Sequence, residues 1–145
     1  MSQQIVYPVS ANMYPNGALQ KAFNVPVGST ATVTVSGTWQ FDPHQARCGA
    51  AGVGGPVNDG SFPAPGTPSA CLLWYVWPAG ANFPGQVNNH PPLAPQDVLG
   101  WFTSNNQQIV FGGTSPGDGD YYFYMNDNDY TDNAFSLRLD VDIQP

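Results

Sequence analysis

The densest oxygen chemistry in the chain lies near its C-terminal end, in the run Asn126-Asp127-Asn128-Asp129-Tyr130-Thr131-Asp132-Asn133. Carboxylates and carboxamides fill most of these positions, and no Lys or Arg interrupts them. At neutral pH, carboxylates this close repel one another unless a cation holds them. Calcium suits such a loop, because it takes roughly six to eight oxygens from carboxylates, amide and main-chain carbonyls and water. The absence of neighbouring Cys or His argues against zinc and copper, and magnesium suits a protein cage of this kind less well. The loop is not an EF-hand: Asp132 stands where the turn glycine belongs and Arg138 where the bidentate Glu belongs. A solvated hairpin tip built on Asx-turns is the plainer use of the same residues. The concentration of oxygens with no interleaved cation favours a metal.

One loop rarely completes a calcium shell, so a second must approach it. In a sandwich, the loops gather at the two ends. Phe41-Asp42-Pro43 is the candidate, offering a main-chain carbonyl or the Asp42 carboxylate. A strand over 121–126 would hold Asp118 and Asp120 roughly 20 Å from Asp127. Those two, with Asp140 and Asp142, read as solvating charge at the opposite pole. Other chemistries find less material. His44 and His90 are the only histidines, and each reads as a solvated or structural loop residue. There is no nucleophile elbow, phosphate loop or HExxH. Glycoside hydrolysis needs two carboxyls facing each other across a cleft, whereas these acids cluster. No enzymatic activity is expected.

The elements that must position this loop are strands. The chain has 145 residues and a mass of 15.5 kDa, enough for one domain spanning 1–145. All ten acids are Asp, and Lys21, Arg47 and Arg138 are the only formal cations. That composition is poor material for solvent-facing helices. Thr30–Ser36 alternates strictly, with Ala31, Val33 and Val35 on one face. At the C-terminus, Phe135, Leu137, Leu139, Val141 and Ile143 alternate with polar residues, predicting a half-buried strand. Ile5, Tyr7 and Val9 alternate around Pro8, predicting an edge strand. Further strands are expected within 18–25, 71–77, 98–102, 108–111 and 121–125, with a turn at Asn16-Gly17. Residues 43–70 and 78–97 read as long loops. The prediction is an all-β, antiparallel β-sandwich of jelly-roll type with seven to eight strands. Trp74, Trp77 and Trp101 are candidates for core packing, a sugar platform or an oligomer contact. Cys48 and Cys71 allow a single bridge or two free thiols.

A net charge of −7 removes the electrostatic drive for nucleic-acid binding and disfavours anionic membranes. No apolar run is long enough for a transmembrane helix, and the N-terminus carries no secretory signal pattern.

Two stretches together resemble the bacterial soluble calcium-dependent galactophilic lectins of the PA-I type. The first runs through Pro26-Val27-Gly28-Ser29 and Ala31–Val35 to Gly37-Thr38-Trp39-Gln40-Phe41-Asp42-Pro43; the second runs from Tyr124-Met125-Asn126-Asp127 through Asp132-Asn133 to Leu137 and the end. They cover roughly half the chain. The resemblance implies a small sandwich with one apical calcium ion that sugar hydroxyls bind directly. It implies Asp127 as the carboxylate ligand, and Asp132 and Asn133 in place of a paired amide set. Tyr130 or Thr131 supplies a loop carbonyl, and Phe41 supplies a carbonyl where the family has Tyr. The loop is two residues shorter than in the family. Where the family has a His and a Gln that help select galactose, this chain has Asn58 and Asp59. The expected ligand contacts are Asp42, Asn58, Asp59, Asp127, Asn128 and Asp132, with a galactoside or related glycan as partner. A homo-oligomer is expected, because single shallow sites gain strength by multivalency. The likeness also suggests synthesis in the cytoplasm and release without a signal peptide. A structural or adhesion sandwich, in which calcium only stiffens the loop, is the alternative.

Overall fold

The computed structural model describes residues 2–12, 21–59, 61, 62, 64, 66–77, 100–112, 118–127 and 129–145, with Trp77 described by its backbone alone. Among these residues there is no helix, and the chain is an antiparallel β-sandwich. The first sheet has the order β1-β11-β3-β9, built from Gln3–Ser10, Ala134–Gln144, Thr30–Ser36 and Gln108–Gly112, and β4 (Trp39–Gln40) also pairs with β11. The second has the order β2-β10-β7-β8, built from Phe23–Val25, Gly119–Met125, Leu72–Trp77 and Gly100–Trp101. A small ribbon pairs β5 (Val53–Pro56) with β6 (Pro68–Ser69). Three of the eleven strands among the described residues, β4, β6 and β8, are two residues long. They are too short to leave a periodic trace, which is why periodicity counts fewer strands.

The alternation in β3 and β11 does what it predicts. Ala31, Val33, Val35, Leu137, Leu139 and Val141 are buried, while the residues between them face outward. Their register is fixed by Val33 opposite Val141 and Val35 opposite Leu139. A slip of one residue would turn this whole apolar set to solvent. Phe111 of β9 ties the sheets together. Its ring lies 5.0 Å from Tyr121 and 6.0 Å from Phe123 of β10, and 5.0 Å from Trp74 of β7. Burying a ring of this size stabilises by about 1.5–3 kcal/mol. β1 is an edge strand, as Pro8 predicts, and pairs only with β11.

Two expectations change. The alternation groups Phe135 with the inward residues of the last strand, yet it is 51% exposed and has a left-handed φ of 70°. Its ladder partner Trp39 fills the core at that level, fully buried, with Nε1 donating to Ala70 O at 2.9 Å. No inward space remains for a second large ring, and the unusual φ carries Phe135 outward. The stretch 43–70 was expected to be irregular, but it contains the β5–β6 ribbon. Its Gly and Pro content hides it from any periodicity, and its register shifts at a bulge. The Asn16-Gly17 turn, most of the 78–97 loop with His90, and Asn128 lie outside the described residues.

Candidate binding cleft at one end of the sandwich

Where β4 ends and β10 hands over to β11, a cleft of about 270 Å³ opens between Phe41, Asp42, Phe62, Ser69, Asp127, Asp129 and Asp132. One wall begins at Trp39, whose backbone exchanges two 2.8 Å hydrogen bonds with Cys48. This folds 41–47 into a closed loop, with Phe41 and Asp42 at its start. Asp42 shapes the loop: its Oδ1 accepts from His44 N at 2.8 Å and its carbonyl accepts from Gln45 N at 2.9 Å.

The opposite wall hangs on Asn126, which is completely buried. Its Nδ2 donates to Thr67 Oγ1 at 2.8 Å and Pro68 O at 3.0 Å, and its Oδ1 accepts from Ala64 N at 3.1 Å. Its main chain bonds Ala70 and Cys71 at 2.7 and 2.9 Å. One side chain thus fastens the 64–69 segment to the end of β10. The join is tight, because a Cβ on Gly52 would strike the Ser69 carbonyl oxygen. Ser69 therefore has a fixed place in the wall of the cleft.

The acidic loop turns over this wall. Asp127 is buried, and its Oδ1 accepts a long 3.4 Å bond from Asp129 N. Asp129 accepts from Thr131 N and Oγ1 at 3.0 and 2.6 Å, and these donors hold its carboxyl below the usual aspartate range. The Tyr130 phenol donates to Met125 O at 2.7 Å. Burial first, and the Asp127 charge second, push its pKa well above the usual tyrosine range. Tyr130 O accepts from Asn133 N at 3.2 Å, closing the turn. Asn133 is buried, and its Nδ2 donates to Ala11 O at 2.8 Å. Its Oδ1 is buried with no hydrogen-bond partner among the described residues, and an orphaned buried carbonyl of this kind is costly.

Of the residues expected from sequence, Phe41, Asp42, Asp127 and Asp132 line one cleft. Tyr130, Thr131 and Asn133 lie in the same loop but do not line it. Asn58 and Asp59 are exposed and stand off the cleft. Asp59 contributes indirectly: its Oδ1 accepts from Ser61 N and Oγ at 2.9 and 2.8 Å, its carbonyl accepts from Phe62 N at 3.2 Å, and this turn delivers Phe62. The Ser61 donors also hold the Asp59 carboxyl below its ordinary value. Sequence reasoning missed Phe62 and Ser69, which sit in the aperiodic 43–70 stretch. It also missed the structural part of Asn126, although that residue opens the acidic run. His44 is exposed, as a loop histidine should be. Cys48 and Cys71 are buried free thiols, and burial pushes the Cys71 thiol up to about 12.

Among the described residues, no group of three or more His, Cys, Asp or Glu is placed to hold a metal ion by itself. A cation here would have to draw part of its shell from amide and main-chain oxygens. The cleft lining offers the Asp127 and Asp132 carboxylates and the Phe41 carbonyl, and the orphaned Asn133 Oδ1 is buried in the same loop without lining the cleft. All are hard oxygens, which fits calcium and excludes soft metals.

No protein-family model matches the chain, and no curated protein matches it. The likeness to galactophilic lectins therefore rests on the residues themselves.

Proposed function

We propose that this chain is a non-enzymatic, calcium-dependent carbohydrate-binding protein whose site is the cleft between Phe41 and Asp132. One observation carries the reading: two oxygen-rich loops some 85 residues apart in sequence line a single cleft that also has the rings of Phe41 and Phe62 in its lining. Asp127 and Asp132 are the cleft-lining side chains that would hold calcium, with the Phe41 carbonyl, while Asn133 and a loop carbonyl from Tyr130 or Thr131, which do not line the cleft, would join the shell only if the loop turns them toward the ion. When bound, the ion would neutralise the loop and offer open positions to vicinal sugar hydroxyls. The chain supplies the rest. Carboxylate oxygens of Asp42 and Asp129 can accept hydroxyl hydrogens, and the rings of Phe41 and Phe62 suit the apolar C–H face of a pyranose. Galactosides are the first class to test, and binding by several copies would raise the strength of a shallow site.

Glycan-array binding with calcium and with EDTA tests this. Glycan binding that chelation abolishes is the expected result. Should calcium raise the melting temperature while no glycan binds, the loop is a structural calcium site in an assembly module and the lectin reading is overturned.

A further inference from the structure

Beside the cleft lies a second feature that its chemistry does not use. Phe135 is 51% exposed on a left-handed φ of 70°, a conformation that bulky L-residues rarely hold. Strain of this kind persists where the surrounding structure enforces it, and it clusters at functional sites. The Arg47 guanidinium lies 3.7 Å from the Phe135 ring centroid, and its Nη2 donates to Thr38 O at 3.0 Å. The chain has ten Asp and three cations. Arg138 sits 2.8 Å from Asp140 and Lys21 sits 3.9 Å from Asp120, whereas Arg47 has no carboxylate partner among the described residues. A guanidinium held flat by a ring and a carbonyl, with donors to spare, is pre-organised for an anionic group.

Its position relative to the cleft follows from the ladder. Phe135 pairs with Trp39 and Ala134 with Gln40. Phe41 follows the end of β4, two residues after the partner of Phe135, and Asp132 lies in the turn that precedes β11, so Phe135 stands at the strand ends from which the cleft opens.

Resting on the carbohydrate reading above, we propose that Arg47 and Phe135 form an extension of the cleft that takes a carboxylate-bearing sugar, such as a uronic acid, next to the residue held at Asp127. The carboxylate meets the Arg47 guanidinium, which covers one face of the Phe135 ring, and the acidic sugar lies against the part of that ring left exposed. The acidic cleft and the net charge of −7 repel anions elsewhere on the molecule, so Arg47 selects for one placement of the charge.

The test is a glycan array of matched neutral and uronic-acid oligosaccharides in calcium, read with the wild type, Arg47→Gln, Phe135→Gly and Asp127→Asn. The wild type is expected to favour the acidic member of a pair by about twofold to fivefold, the size of one exposed ion pair. Arg47→Gln should remove that preference and leave neutral binding intact. Phe135→Gly relaxes the backbone, so its melting temperature should not fall while the preference is lost. An acid-to-neutral ratio unchanged in Arg47→Gln, or a wild type that favours neutral glycans, overturns this inference and leaves the lectin reading standing. Acidic binding that survives Asp127→Asn overturns the shared-cleft reading while keeping the Arg47 site. A wild type that binds no glycan of either kind overturns both.

Discussion

Two hollows of almost equal size differ in what their aspartates do. The cleft measures about 270 Å³, and a hollow on the outer face of the first sheet, between Val6, Thr32, Thr34, Gln108, Asp140 and Asp142, measures about 280 Å³. On the sheet face each aspartate has a side-chain partner on its own strand. Arg138 holds Asp140 at 2.8 Å, and Gln144 Nε2 donates to both Asp142 oxygens at 3.0 Å. In the cleft, Asp42 and Asp129 are met by main-chain N–H groups and one hydroxyl of their own turns. Those bonds shape a loop without neutralising it. On the face, Arg138 balances Asp140 while the neutral Gln144 amide leaves Asp142 charged; in the cleft, no cationic side chain among the described residues meets Asp42 or Asp129, and that charge is one a cation would balance. Volume alone could not separate the two, and the chemistry of the partners does.

The widest break between these regions comes from removing one aspartate in each. Asp127→Ala is expected to abolish calcium binding and glycan binding together while the sandwich stays folded. Asp140→Ala should leave both unchanged. Calcium titration calorimetry, with circular dichroism as the check on folding, reads this directly. A normal calcium isotherm in Asp127→Ala would remove that residue from the ligand set.

Stability should show the same contrast more mildly. Asn126→Ala deletes the side chain that fastens 64–69 to β10 and strands buried donors and acceptors. A loss of about 3 kcal/mol is expected in urea denaturation. Arg138→Ala breaks an exposed ion pair and should cost at most about 0.5 kcal/mol. Equal losses would mean that the cleft wall is held by something other than Asn126. Calcium at about a hundred times its dissociation constant should stabilise the wild type by about 2.7 kcal/mol and leave Asp127→Ala unmoved.

How much of this could be read from the chain varies with the signal each residue sends. The inner face of the first sheet was legible, because Ala31, Val33 and Val35 and then Leu137, Leu139 and Val141 repeat every second position, and burial on one face demands just that. Phe135 keeps the period and still breaks the rule. Its partner across the ladder, Trp39, occupies the space, and single-strand periodicity carries no information about which of two large rings wins. The cleft was half legible. Loops of a sandwich meet at its ends, so Asp42 and Asp127 could be brought together from topology. Phe62 could not, since its place depends on the Asp59 turn and the β5–β6 ribbon, both written in Gly and Pro without any repeat.

The smallest expected effects are titrations, and they separate core from cleft by sign. Burial holds Cys71, Tyr121 and Tyr122 at about 12, against ordinary values of 9.0 for the thiol and 10.0 for the phenols. The unfolded chain loses these protons first. Stability should therefore hold up to about pH 9 and fall as pH rises towards about 12. Asp129 moves the other way. Its carboxyl lies below its ordinary value because Thr131 donates to it. Its contribution is present above the ordinary aspartate pKa and is lost as pH falls through the depressed one. Thr131→Val removes the hydroxyl and keeps the shape, so the Asp129 carbon-13 titration should shift upward while the alkaline limb stays put. An Asp129 midpoint indifferent to that hydroxyl would show that the turn, rather than the Thr131 side chain, keeps this carboxylate charged and available at the mouth of the cleft.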